Sequence, residues 1–167
     1  YRGWGGGAPP AAPHPNGNGL QLEVADRSPR LESSRQIHGT RVLGHAQADA
    51  KGWTRHQGAD GHVTRTPGVA LAISVADCVP VFIAHPSGAV ALLHAGWRGT
   101  AGRIVEKGIA RLVDSGLNAA DMNVHRGPAL CGRHYAVGPA GFAHLTGWPP
   151  LRPPHVHPPA PPARTAR

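Results

Sequence analysis

Val81-Phe82-Ile83-Ala84-His85-Pro86-Ser87-Gly88-Ala89-Val90-Ala91-Leu92-Leu93 consists of two apolar runs on either side of a Pro-Ser-Gly turn. Runs this short, bounded by turn residues, predict a β-hairpin rather than a helix. Val75-Ala76-Asp77-Cys78-Val79-Pro80 precedes the hairpin and His94-Ala95-Gly96-Trp97-Arg98-Gly99 follows it. Pro80 is expected to end the preceding pairing and leave Cys78 in a loop. Side chains at the two open ends of a hairpin can converge. A thiol beside an imidazole either binds a transition metal or forms an activated nucleophile, and both readings stay open at this point.

Working outward, Val69–Val75 reads as a buried strand and Arg41–His45 as a short one, with Gly58-Ala59-Asp60-Gly61 as a turn. Thr100 is placed to cap a helix from Ala101 to about Ser115. Ile104, Val105, Ile109, Leu112 and Val113 form its apolar face and Gly116 its stop. Met122–Val124 is a last short strand running into Gly127-Pro128. The pattern is mixed α/β (α+β), with no internal repeat.

The chain has 167 residues, of which 23 are Gly and 18 Pro. These residues crowd the ends, which predicts a disordered Gly/Pro-rich segment over residues 1–30, one domain over 31–140 and a Pro-rich disordered tail over 141–167. The formal charge is +8, from 17 Lys and Arg against 9 Asp and Glu. The basic residues are scattered, and aromatics make up only 5%. That argues against a phosphate-tracking stripe with a stacking platform, so nucleic acid is not expected as a partner. No segment is long and apolar enough to span a membrane as a helix, and no membrane partner is expected. The two cysteines, Cys78 and Cys131, make no disulfide framework and fit a reducing, cytoplasmic setting. Cys131 is read as structural.

Cys78 beside Asp77 is an unusual setting for an inert core thiol, because a neighbouring carboxylate is costly to bury. After His94, Gly96 and Gly99 flank Trp97-Arg98 at the start of a helix. Such a segment suits an anion: backbone N–H groups can approach it, and Arg98 offers a planar fork. His38, in Gln36-Ile37-His38-Gly39, is one of 12 histidines and carries little weight by itself.

Four motifs occur in one order: Gln36-Ile37-His38-Gly39, Ala76-Asp77-Cys78-Val79-Pro80-Val81, His94-Ala95-Gly96-Trp97-Arg98-Gly99 and Gly127-Pro128-Ala129-Leu130. Together they resemble the laccase-domain (YfiH-like, multicopper polyphenol oxidase) family over roughly residues 36–140. The resemblance implies an α/β/β/α sandwich, incomplete here, shared with the catalytic domain of cytotoxic necrotizing factors. It also implies a purine nucleoside phosphorylase with adenosine deaminase activity, acting on adenosine, inosine and methylthioadenosine, with purine nucleoside and phosphate as partners. By the same resemblance His38, Cys78 and His94 hold zinc, a donor set that leaves one position open to water. Arg98, with the Gly96, Trp97 and Gly99 segment and Gln36, would bind phosphate and substrate. Cys78, Asp77, His94 and Arg98 would be the catalytic group, with Asp77 orienting a ligand or moving a proton. Copper is the alternative metal. The sequence has a single His-x-His, His155-Val156-His157, which argues against a true multicopper oxidase.

Two other outcomes follow from the same residues. Cys78 and His94 could be the nucleophile and base of a cysteine hydrolase acting on cell-wall precursors. The chain could also be an inactive fragment: residues 1–30 lack the family's opening segment, and Pro-rich sequence stands where further strands are expected. A sheet lacking those strands is expected to expose edges and apolar faces.

Overall fold

The computed structural model describes residues 28–46, 51–132 and 134–136. The expected disordered segment over residues 1–30, apart from residues 28–30, the whole of the expected tail over 141–167 and with it the His155-Val156-His157 pair lie outside the described residues. Two sheets form. The first is all parallel, in the order β3 (Gly52–Gln57), β1 (Arg30–Arg35), β5 (Val69–Leu71). The second runs β2 (Val42–His45), β4 (Gly61–Thr64), β7 (Val90–Ala95), β6 (Val79–Ala84), β8 (Asn123–Arg126). All its neighbours pair antiparallel except β2 and β4.

The expected hairpin is β6–β7, with Val79 opposite Ala95 and Pro80 opposite His94. Its core-facing residues Val81, Ile83, Ala91 and Leu93, with Val63 of β4, pack against a helix and form the main apolar core. The helix is amphipathic as expected, but it is broken. A short α1 (Trp97–Ala101) stops at Gly102, Arg103 takes a left-handed φ of 62°, and α2 runs Ile104–Val113. Thr100 therefore lies inside α1 and caps nothing. Gly108 lets α2 come close to β7, since a Cβ there would stand 2.7 Å from a methyl of Leu93.

Two further expectations are corrected and a third is extended. The strand over Val69–Val75 ends at Leu71, because the Gln36 side chain, rather than a strand, engages the Ser74 backbone. Pro80 does not end the pairing: it is buried within β6, while Cys78 does lie in the preceding loop. Gly58-Ala59-Asp60-Gly61 does more than turn the chain, since Ala59 and Asp60 are fully buried and Gly61 opens β4. The polar strands β1 and β3 carried no apolar alternation and were not anticipated.

The opposite face of β4 is polar. Arg30, Glu32 and Ser34 of β1 and His56 of β3 turn toward His45 of β2 and His62 of β4, and the two sheets meet through the Ser34–His62 hydrogen bond and the approach of Glu32 to His45. At the far edge Phe82 and Val124 remain about half exposed.

Two predictions follow from these faces. Leu93, with no solvent exposure, should cost about 3 kcal/mol of stability when changed to Ala, measured by denaturant unfolding. His62 is pushed down to about 4 from its ordinary 6.5, chiefly by burial and then by His45 and His56. The unfolded chain therefore takes up this proton first as pH falls. Its stabilising contribution is complete above about pH 6.5 and is lost toward pH 4, by roughly 3 kcal/mol. Unfolding midpoints in EDTA should fall across that window, and less so in His62→Leu.

Candidate metal centre

Asp60 organises the site. Its carboxylate is fully buried and accepts hydrogen bonds from the backbone N–H groups of Ile37 (3.3 Å), His38 (2.9 Å) and Gly39 (2.8 Å). It also accepts one from Nδ1–H of His94 at 2.8 Å. Burial alone would raise this carboxyl. The His94 hydrogen bond and the three amides outweigh it and hold Asp60 below the ordinary carboxylate range.

This arrangement has two geometric consequences. The loop before β2 wraps around the carboxylate, which supports His38 at a φ of 56°, a left-handed value uncommon outside glycine. His94 is fixed as the tautomer with Nδ1–H on Asp60, so Nε2 presents a lone pair. The His38 and His94 rings meet edge to face with centroids 4.8 Å apart. The donor atoms of His38, Cys78 and His94 all lie within 4.8 Å of one another. A tetrahedral zinc with bonds of about 2.0–2.3 Å needs donors roughly 3.5 Å apart, so small rotations would complete the set. Gly96 leaves the room: a Cβ there would stand 3.0 Å from both Cys78 Sγ and His38 Nδ1. Two imidazoles and a thiol on a protein-lined cradle, one imidazole backed by a carboxylate, fit a borderline-soft metal ion.

The other residues expected at the site separate into two groups. Gln36 spends both ends of its amide on the Ser74 backbone, at 2.8 and 2.7 Å, tying the His38 loop to the segment that leads to Cys78. Asp77 is exposed. The carboxylate that orients His94 is Asp60, whereas Asp77 helps to raise the Cys78 thiol, behind burial and ahead of Asp60. Arg98 is exposed, with its guanidinium 4.4 Å from the centre of the Trp97 ring. Gly99 is buried on α1 where a Cβ would meet the Gly39 carbonyl at 3.0 Å, so α1 packs directly on the His38 loop.

Asp60 and Tyr135 were missed from the sequence. Tyr135 is half-buried and takes a hydrogen bond from the Trp97 backbone. Its phenol is pushed up by burial, then by the nearby Cys78. The amide of Leu130 bonds to the Asp77 carbonyl at 3.2 Å, which brings the segment after Gly127-Pro128 alongside Cys78. Cys131 is exposed rather than a core residue, with its sulfur 2.9 Å from His134 Nδ1.

The profile of the family described as multi-copper polyphenol oxidoreductase laccase matches residues 15–151. A purine nucleoside phosphorylase of Deinococcus radiodurans is 42% identical over 116 residues, which cover 69% of this chain and 42% of that enzyme. Adenosine deaminase RL5, from an unknown prokaryotic organism, is 37% identical over 83 residues, 49% of this chain and 32% of that protein. YlmD of Geobacillus stearothermophilus superposes with a TM-score of 0.72 at 30% identity, covering 82% of this chain and 55% of its own. YfiH of Bacillus licheniformis superposes at 0.67 and 28%, covering 81% and 54%. The chain thus spans about half the length, or less, of these relatives.

Asp60→Asn should expose the dependence on this carboxylate. An amide cannot accept all four hydrogen bonds, so a loss of about 2 kcal/mol is expected. In hydrogen exchange, the amides of Ile37, His38 and Gly39 should speed up before those of β6 and β7 do.

Proposed function

This chain belongs to the multi-copper polyphenol oxidoreductase laccase family, and from that premise we propose that it serves zinc-dependent purine nucleoside phosphorolysis with an accompanying adenosine deaminase activity. The observation that carries the proposal is the convergence of His38, Cys78 and His94 on one cradle, with His94 held in its ligating tautomer by Asp60. The names of the relatives, purine nucleoside phosphorylase and adenosine deaminase, support the same reaction classes.

A zinc ion held by His38, Cys78 and His94 would supply Lewis acidity, which makes water acidic enough to attack near neutral pH. The chain's own residues do the rest. Asp60 keeps the His94 ring from rotating. Arg98, exposed beside Gly96 and Trp97, offers a fork for phosphate. In phosphorolysis a phosphate oxygen bonds to the ribose C1′ as the C1′–N9 bond breaks; the electron pair passes to the purine, which then takes up a proton. In deamination, water adds at C6 and ammonia leaves. Asp77, exposed next to Cys78, would carry a proton to the leaving purine or ammonia.

A second reading has one observation in its favour. Asp60, His94 and Cys78 follow the order of an acid, base and nucleophile triad. Against it, the metal reading uses His38, for which a triad has no role.

The test is metal content coupled to turnover. Adenosine with phosphate should give adenine and ribose 1-phosphate, and adenosine alone should give inosine and ammonia. Cys78→Ser should abolish both activities and the zinc whose cobalt form shows a thiolate charge-transfer band. Turnover that survives chelation but stops on thiol alkylation would establish the hydrolase reading instead. Gly96→Ala should weaken zinc at this site by 10-fold or more, on the order of the losses seen when the surroundings of ligands are disturbed. The thermal unfolding of its metal-free form should change little.

A further inference from the structure

Between the two sheets, away from Cys78, lies a second set of donors: Glu32 of β1, His56 of β3 and His45 of β2. One donor atom from each lies within 4.8 Å of the others. Glu32 is fully buried and His45 nearly so, while the His56 side chain is 32% exposed and forms the rim. The Glu32 carboxylate divides its two oxygens: Oε1 pairs with the Arg30 guanidinium, and Oε2 faces His56 Nε2 at 2.5 Å and His45 Nδ1 at 3.3 Å.

Hydrogen-bond bookkeeping decides what His45 presents. The Ala59 carbonyl can only accept, so the Ser34 hydroxyl donates to it at 2.6 Å. That uses the one Ser34 proton, so His62 must donate Nε2–H to Ser34 Oγ at 3.1 Å. A neutral His62 then accepts at Nδ1, so His45 donates Nε2–H across 2.9 Å. His45 Nδ1 is left as a lone pair aimed at a carboxylate oxygen. Two acceptors at 3.3 Å in a buried space require a cation between them.

We propose that Glu32, His45 and His56 form a second metal site, for a divalent transition ion of the zinc class, which clamps the two sheets together. Two imidazoles and a carboxylate oxygen are a donor set suited to such an ion. The outer bond required of a ligating histidine, ring N–H to a fixed acceptor, is already made by His45 to His62. A proton is the competing cation. A proton would bridge only His45 and Glu32, whereas the cluster brings a third donor, His56, to the same carboxylate oxygen. Arg30 occupies only Oε1, and at Oε2 the ion would take the place of the proton that His56 Nε2–H donates.

The site is tested on the full chain, stripped of metal and dialysed against zinc, with cobalt as the spectroscopic probe. The wild type should retain two zinc ions. Cys78→Ser should retain one, whose cobalt form shows visible d–d bands without thiolate charge transfer. His56→Ala, at the partly exposed rim where truncation disturbs folding least, should also retain one, with the charge-transfer band intact. Zinc should raise the Tm of Cys78→Ser but not that of a variant carrying both Cys78→Ser and His56→Ala. Circular dichroism confirms that each variant is folded, and Glu32→Gln, nearly isosteric, provides the second route to the same loss. The proposal is overturned if Cys78→Ser binds no metal while folded. It is equally overturned if the second zinc survives both His56→Ala and Glu32→Gln, which would place that ion elsewhere on the chain.

Discussion

A single buried carboxylate, Asp60, holds the candidate site together. It sits in the turn that opens β4, and its backbone joins both neighbours: its N–H bonds to the Arg41 carbonyl at 3.0 Å, and its carbonyl takes the N–H of His94 at 2.7 Å. Its side chain reaches the three amides of the His38 loop and the ring of His94. A carboxylate in that position is stabilised only because every acceptor direction is used. The same saturation fixes the backbone that carries the His38 ring and, at His94, the ring itself. His38 is held at a left-handed φ and His94 in one tautomer by one group, so the spacing of the candidate ligands is set by backbone geometry rather than by side-chain chance.

The sheet that carries β4 and β7 has two unlike faces, and the difference organises the molecule. One face, with Val63, Leu93, Val81 and Ile83, packs on α2 through ordinary apolar burial. The other carries His62 and His94 and meets the parallel sheet through charged and hydrogen-bonded groups. A polar interface of this kind contributes little net stability by itself, because desolvation offsets much of the attraction. It does select one arrangement, since shifting β1 by a residue would strand Glu32 and Ser34 away from all their partners.

This division explains what could be read from the sequence. The β6–β7 hairpin, the amphipathic stretch of α2 and the convergence of Cys78 and His94 were legible because apolar periodicity and turn residues report the α2-facing side of the sheet. The strands β1 and β3, Arg-Leu-Glu-Ser-Ser-Arg and Gly-Trp-Thr-Arg-His-Gln, gave no such signal, because what they bury is polar. Asp60 lay inside a Gly-Ala-Asp-Gly string whose ordinary meaning is a solvated turn. Only its distance to His94, far along the chain, shows otherwise. The break at Arg103 was hidden for a similar reason: a non-glycine residue at φ 62° carries no sequence mark, and the fold imposes it where α1 turns away from the His38 loop.

The two donor sets are not mechanically independent. From His45, which faces Glu32, the buried hydrogen bonds pass through His62 and Ser34 to the carbonyl of Ala59, the residue before Asp60. Ala59 is itself held by its N–H on the Arg35 carbonyl at 3.4 Å, at the end of β1. The peptide that fixes the Asp60 carboxylate is thus clamped from the inter-sheet side by Ser34 and from the strand side by Arg41. A change in the Glu32 cluster reaches His94 through one backbone unit rather than through a long path of packed side chains. That short mechanical route gives the polar interface its place in the design. It costs stability relative to an apolar one, and in return it sets the height of Asp60 above the sheet, on which the separation of His38 and His94 depends.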